Sequence, residues 1–421
     1  MAVSEITLAN FKGFDGEANV EIKPITIFYG KNSSGKSSCI HAITSLAQSI
    51  KLSKQSAPLV LDDEFADVHL GRFRDVAHSG TYEKPISLGF SVKDTVLESL
   101  EERESDSGLL IRRSRGDLSA KYSFTCSRKT QQIYLQRAQF QIGAEKYEAT
   151  RKGSSFVYSL VKNGVHLIDV GLDNSFVFSR APISMGGQKI WAQAFSFFYA
   201  QKIIARELSN VRYLGPFRQP PQRQYPTRGA NPVEVGAMGE STVTLLANES
   251  IRSKTRPAKT IINGWLQAMN IAQEVNVSRL GTSDQFSTTF TLNDGQALSI
   301  SDLGYGVSQI LPVLTQCAVA SKGSTLLFEQ PEIHLHSLSA RELANVFLDT
   351  VKEKSSNIIL ETHSDDLVHG LQKEMRDRGL SNDDIVLYKI ERINSESVIT
   401  KVSFDDYFDA SLDWRRGCTQ S

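Results

Sequence analysis

Four short stretches of the sequence carry residues suited to handling a polyphosphate. The first is Gly30-Lys31-Asn32-Ser33-Ser34-Gly35-Lys36-Ser37, followed by Ser38, a complete match to the phosphate-loop pattern G-x-x-x-x-G-K-[ST]. Its glycines let backbone N–H groups curl around a β-phosphate. Lys36 would neutralise the β and γ oxygens, and the Ser37 hydroxyl would ligate Mg²⁺. The second is Ser324-Thr325-Leu326-Leu327-Phe328-Glu329-Gln330-Pro331-Glu332. An apolar strand ending in a carboxylate is the Walker B arrangement, in which Glu329 holds the Mg²⁺ shell through its waters. The third is Asn357-Ile358-Ile359-Leu360-Glu361-Thr362-His363-Ser364-Asp365, a strand whose C-terminal end delivers Thr, His and Ser to the edge where open α/β sheets bind ligands. His363 is placed there to reach a γ-phosphate or to order an attacking water. The fourth, Ser301 to Gln309, brings Gly304, Gly306 and Ser308 to the start of an apolar helix. It reads as a second anion site or as an ordinary helix cap.

The elements around these stretches are those needed to position them. Ile22, Ile25, Ile27 and Phe28 lead as a strand into Gly30, and Ile40, Ile43, Leu46 and Ala47 repeat at helical spacing from Lys36 to about Lys51. Strands are expected at 324–328, 357–361 and 384–390, with helices near 337–353 and 364–378. These β-α units suit a parallel sheet. Between the two ends, ISLGFSV, LLIRRS, KYSFTC, QIYLQRAQFQI and SFVYSLV read as strands. A helix follows from Trp191 to Leu208, then a proline-broken stretch from Pro216 to Arg228, and short helices at 240–249 and 258–270. The expected divisions are an N-terminal part of the core at 1–84, a strand-rich lobe at 85–190, a helical and proline-broken insert at 191–290, and a C-terminal part of the core at 291–421.

Composition limits the function classes. The 421 residues hold 47 Lys+Arg against 47 Asp+Glu, which argues against a generally adhesive nucleic-acid binder. Hydrophobic residues at 40% and charged residues at 22% exclude global disorder. Cys39, Cys126, Cys317 and Cys418 lie far apart, consistent with a reduced protein lacking structural zinc. The start of the chain lacks the order of a signal peptide, and no stretch reaches the roughly 20 apolar residues of a membrane helix. A soluble, cytoplasmic protein without a membrane partner is expected.

Taken in order, the four stretches resemble the ABC-class ATPases. Asn10-Phe11-Lys12-Gly13-Phe14, the phosphate loop, Gly304-Tyr305-Gly306-Val307-Ser308-Gln309-Ile310-Leu311-Pro312, Glu329-Gln330-Pro331-Glu332-Ile333-His334-Leu335-His336 and Glu361-Thr362-His363-Ser364 narrow this to the RecF/SMC/OLD group. Tyr213-Leu214-Gly215-Pro216-Phe217-Arg218 and Val235-Gly236-Ala237-Met238-Gly239-Glu240 are similar to its short members without a Toprim nuclease. The resemblance implies an α/β fold: an ABC-type P-loop ATPase head with a mixed/parallel core sheet, a strand-rich N-terminal lobe and a helical insert. It implies ATP and Mg²⁺ as ligands. Two heads of a homodimer or higher homo-oligomer would sandwich the nucleotides, with Gly304, Gly306 and Ser308 meeting the γ-phosphate of the other subunit's site. Relatives often serve bacterial anti-phage defence beside a separately encoded effector, and no effector domain is expected within this length.

One position departs from the group. Many ABC enzymes follow the Walker B carboxylate with a Glu that polarises the attacking water, whereas this chain has Gln330. An amide orients water but accepts no proton, so slow turnover is expected, with Glu332, His336 or His363 assisting. Three readings follow: an ATPase sensor or scaffold controlling an effector such as a nuclease, a RecF-like clamp binding DNA directly, and an ATP-locked scaffold with negligible turnover. Arg218, Arg223 and Arg228 offer a DNA or partner surface or a solvated loop. The clusters Arg112-Arg113-Arg115 and Arg252-Lys254-Arg256-Lys259 offer nucleic-acid contacts or solvated faces. His334 and His336 read as packing or phosphate-side residues rather than zinc ligands.

Overall fold

A computed structural model describes residues 3–52, 57–102, 109–153, 156–178, 187–226, 231–253, 255 and 257–402, with residues 101, 102, 109, 174, 187–189 and 191 described by their backbone alone. In chain order the elements are β1 (Val3–Ala9), β2 (Ala18–Glu21), β3 (Ile25–Tyr29), α1 (Lys36–Leu52), α2 (Phe73–Val76), β4 (Ile86–Glu102), β5 (Leu109–Cys126), β6 (Ile133–Ile142), β7 (Glu145–Arg151), β8 (Val157–Lys162), β9 (Val165–Asn174) and β10 (Val177–Phe178). Next come α3 (Gly187–Ser209), β11 (Val211–Leu214), β12 (Tyr225–Pro226), α4 (Thr242–Arg252), α5 (Pro257–Ala268), β13 (Glu274–Arg279), β14 (Gln285–Thr291), β15 (Ala297–Ser299) and α6 (Tyr305–Ala318). The chain continues through β16 (Thr325–Glu329), α7 (Ser337–Lys354), β17 (Asn357–Thr362), α8 (Asp365–Arg378), β18 (Ile385–Ile393) and β19 (Glu396–Val402). Among the described residues, one compact unit comprises 3–22, 32–211 and 391–399, and a second comprises 23–31, 212–390 and 400–402.

The first unit is built on a sheet ordered β10-β9-β8-β7-β6-β5-β4-β1-β2 among the described residues. Apolar and polar residues alternate along its strands, as in a sheet with one covered face. Tyr122, Phe124, Phe140, Phe176, Phe178 and Phe197 form a buried aromatic cluster, with Tyr122 and Phe176 rings 4.4 Å apart and Phe140 edge-on to Phe197 of α3 at 5.2 Å. LLIRRS and KYSFTC, read in the sequence as two strands, are one 18-residue strand, β5. Gly116 does not break it because β4 bulges opposite: the register shifts between Val92 and Thr95, and Asp94 there takes φ 49°. In α1 the polar residues are buried too. Gln48 spans Val60 O at 2.7 Å and Val68 N at 3.0 Å, tying the 57–70 segment to the helix.

The second unit holds most of a sheet ordered β11-β16-β17-β3-β18-β19. β16, β17, β3 and β18 are mutually parallel, and their near-continuous apolar runs fit strands covered on both faces. Leu326, Phe328, Ile358, Leu360, Ile25, Ile27, Ile385 and Leu387 pack with Leu343, Phe347, Leu367 and Leu371 of α7 and α8 in one core. The 212–300 segment adds α4 and α5 and a small sheet of β12, β14, β13 and β15. No helix among the described residues is long and apolar enough to cross a membrane.

Cys39, Cys126 and Cys317 are buried and form no disulfide among the described residues; Cys418 lies outside them. Burial pushes the Cys317 thiol up to about 12, so almost no thiolate forms at neutral pH. Brief iodoacetamide treatment of native protein is therefore expected to leave Cys317 unmodified, and the same treatment in denaturant to label it fully. Peptide mass spectrometry reads both; labelling of native Cys317 would contradict the buried placement.

Candidate functional site

The parallel register lines up the strand ends that carry chemistry. Glu329 pairs with Glu361, Glu361 with Phe28, and Thr362 with Tyr29, so Gly30, Gln330 and His363 each follow a strand at the same C-terminal edge. Tyr29 donates its hydroxyl to Asp365 Oδ1 at 2.7 Å. This edge is where an open α/β sheet binds ligands.

Behind Gly30, the phosphate loop runs on into the first unit. Lys31, Asn32 and Ser33 are exposed, whereas Ser34, Lys36 and Ser38 are buried. Ser33 takes φ 61° and Gly35 φ 109°, left-handed conformations that turn successive N–H groups in a tight curl. Ser38 N–H closes the turn onto Gly35 O at 3.0 Å, and α1 begins at Lys36. Lys36 and Ser37 thus stand in the first turn of a 17-residue helix, whose N-terminal dipole favours an anion. A loop with buried lysine, left-handed backbone and a following helix fits a nucleotide phosphate.

At the end of β16 the side chains are tightly engaged. Glu329 is buried, and its Oε1 accepts the Tyr213 hydroxyl at 2.9 Å. Gln330 takes φ 46°, and its N–H donates to Glu361 O at 2.8 Å. Glu332 Oε1 accepts from Thr362 Oγ1 at 2.5 Å. Burial nevertheless raises the Glu332 carboxyl above its ordinary range. His363 is half-buried beside these groups.

Arg218 is the residue beside this strand end whose place its setting in the sequence concealed. Expected on a loop surface, it is only 4% exposed, while its neighbour Phe217 is 82% exposed. Its Nη2 donates to Glu329 O and Gln330 O, both at 3.2 Å. Burial lowers the guanidinium to about 10, against the opposing pull of Glu332 and Tyr213, and it stays protonated at neutral pH. The surrounding motif held the clue. Gly215 N bonds Ala237 O at 2.8 Å and Gln219 N bonds Met238 O at 2.9 Å, so the 213–218 and 235–240 stretches lie side by side. Val235 N bonds Gln316 Oε1 at 3.0 Å, and Gly239 abuts Pro312, joining that pair to α6.

The signature stretch lies at the start of α6: Gly304 is the N-cap, and Gly306 and Ser308 lie in the first turn. Ser308 Oγ donates to Tyr305 O at 2.7 Å. Gly306 lacks a side chain because His334 O would lie 2.5 Å from its Cβ, and the Tyr305 ring meets His334 edge-on at 5.2 Å. His334 and His336 are exposed, His336 capping α7. The other basic residues face acids or amides. Arg223 forms a bidentate pair with Asp302, Arg113 pairs with Glu98, Arg115 with Asp94, Lys259 with Glu274, and Arg252 bonds Asn231. Arg112 is exposed, and Arg228, Lys254 and Arg256 lie outside the described residues.

Fold and strand-end chemistry together define an ABC-class P-loop ATPase head. The chain belongs to the family described as "AAA domain, putative AbiEii toxin, Type IV TA system", which matches residues 25–368. Among solved structures, an SMC head bound to the C-winged helix domain of ScpA is similar in fold, with TM-score 0.51 and 11% identity over 97% of this chain and 100% of that one. An SMC head domain from Thermotoga maritima gives TM-score 0.42 at 11% identity, over 96% of this chain and all of that one. An SMC head with extended coiled coil, bound to a ScpA domain derived from Pyrococcus furiosus, gives 0.47 at 9% over 98% and 99%. No curated protein matches the chain.

Proposed function

We propose that this chain binds ATP with Mg²⁺ between two copies of itself, hydrolyses it slowly, and serves as the sensor or scaffold that controls a separately encoded effector, such as a nuclease, in anti-phage defence. The observation that carries the nucleotide part is the common edge at which Gly30, Gln330 and His363 end three parallel strands. In this reading Gly30, Lys31, Asn32, Ser33, Ser34, Gly35, Lys36, Ser37 and Ser38 hold the phosphates. Ser37 and Glu329 hold the ion, and Gly304, Gly306 and Ser308 receive the γ-phosphate bound by the other copy. Mg²⁺ supplies charge neutralisation on the phosphates when bound. Glu329 is fixed for its task by Tyr213, Gln330 orients water, and Glu332 and His363 are the groups able to take its proton.

A partner-controlling role draws support from the ion pairs of Arg113, Arg115, Arg223 and Lys259, which leave less free positive charge for DNA. The family's description as a putative toxin of a TA system also suits a two-component setting. Lys36→Ala is expected to weaken Mg-ATP binding by roughly 10- to 100-fold, the worth of charge-assisted hydrogen bonds. Titration calorimetry measures this, and light scattering with Mg-ATP measures the expected association of two copies. Wild-type protein that binds no ATP, or a Lys36→Ala variant that binds it equally well, would sink the proposal. Salt-dependent, ATP-stimulated DNA binding by the chain alone would replace the scaffold with a RecF-like clamp.

A further inference from the structure

We propose that Ser397, on β19, is a positioning residue for the phosphate loop: by holding the Ser34–Gly35 peptide it sets the affinity for the nucleotide's phosphates. This rests on the nucleotide-binding reading above. Ser397, Gly13 and Ser34 all belong to the first unit, although some 360 positions separate Ser34 from Ser397. The Ser397 N–H donates to Gly13 O at 2.7 Å, and its Oγ donates to Ser34 O at 2.7 Å. One residue of the hairpin therefore bonds both the Phe11–Phe14 turn and the phosphate loop.

The two glycines show how closely it is seated. A Cβ on Gly13 would lie 2.1 Å from Ser397 Oγ, and one on Gly35 would lie 2.3 Å from Oγ and 2.9 Å from Ser397 Cβ. Phe14 closes the same space, with a ring carbon 3.6 Å from the Gly35 Cβ position. Both glycines lack side chains where the serine passes between them. The Ser34 hydroxyl is buried with no hydrogen-bond partner among the described residues, so this residue is held through its carbonyl.

That carbonyl governs an N–H group. A trans peptide is planar, with its C=O and N–H pointing in opposite directions. Drawing Ser34 O toward Ser397 therefore turns the Gly35 N–H away from the hairpin. Phosphate loops bind through N–H groups of this kind. The flanking left-handed residues, Ser33 and Gly35, would otherwise relax at small cost once the anchor is lost. Because the affected N–H serves a phosphate common to ATP and ADP, loss of the anchor weakens both nucleotides alike.

The test uses the full chain, Mg-ATP and Mg-ADP titrations, and turnover at saturating ATP. Ser397→Ala is expected to weaken both nucleotides about 5-fold, the worth of one net hydrogen bond, with kcat unchanged. Ser397→Val, which adds bulk between Gly13 and Gly35, is expected to weaken them on the order of 10- to 100-fold. Should the valine variant misfold, the alanine variant carries the test alone. The inference is overturned if Ser397→Ala binds both nucleotides as the wild type does, or if it loses kcat with affinity intact. A wild type that binds neither nucleotide removes the reading of the site first, and this inference with it.

Discussion

Gln330→Glu is expected to raise the steady-state rate of ATP hydrolysis about 100-fold, at the low end of what a general base contributes. The substitution is nearly isosteric, and Gln330 meets its neighbours through its backbone. Its N–H goes to Glu361 O, and its carbonyl accepts from Arg218. The loop therefore keeps its path while the side chain gains a site for the water's proton. The opposing effect is electrostatic. Glu329 and Glu361 are opposite each other in the register and both are buried, with Glu332 close by, so a further carboxylate adds repulsion of about 1 kcal/mol to the native state. Phosphate release at saturating Mg-ATP measures the rate, with the Lys36→Ala, Gln330→Glu double variant as the silent control. Turnover unchanged by the new carboxylate would place the attacking water away from residue 330. Strong activation would mean that the native amide slows the hydrolysis of bound ATP.

The second large effect is on stability. Arg218→Met should destabilise the protein by about 3 kcal/mol, because it removes a buried cation whose partners stay buried. The carbonyls of Glu329 and Gln330 lose their shared donor, and the Glu332 carboxyl, already raised by burial, loses the positive charge that favours its ionised form. Methionine fills much of the volume, so a cavity is not the cause. Arg218→Lys should recover only part of the loss, since an ammonium on a shorter, flexible stem does not hold one nitrogen against both carbonyls as the rigid guanidinium holds Nη2. Denaturant melts without nucleotide measure both variants. A methionine variant within about 0.5 kcal/mol of wild type would show that the guanidinium is not needed to hold the strand end.

The residues that were legible in the sequence are those whose chemistry is local. The phosphate loop, Gln330 and His363 each sit directly after an apolar strand, Glu329 ends one, and strand, loop and helix are contiguous in the chain. Arg218 was obscured because prolines and glutamines around it have loop composition, while its burial depends on the distant 235–240 stretch and on β16. Ser397 gives no local signal at all: a single serine in an alternating strand says nothing about a turn at residue 13. The length of β5 was hidden for a related reason, since Gly116 followed by Asp117 resembles a turn until the bulge on β4 opposite is known. The resemblance carried by Tyr213–Arg218 and Val235–Glu240 marked two stretches as meaningful without saying that they bond each other.

The pairing of β3 has a consequence for synthesis of the chain. Ile25 is matched on one side by Ile358 and on the other by Ile385, so the strand that leads into the phosphate loop waits for partners more than 300 positions away. Until those residues leave the ribosome, Ile25–Tyr29 has two unpaired edges and an apolar surface, the combination that invites pairing with other chains. The sheet of β1, β2 and β4 to β10, by contrast, takes its strands among the described residues from before residue 180, and it has no need to wait. Nucleotide-binding competence should therefore arrive last in biosynthesis, as one event, when β17 and β18 close on β3.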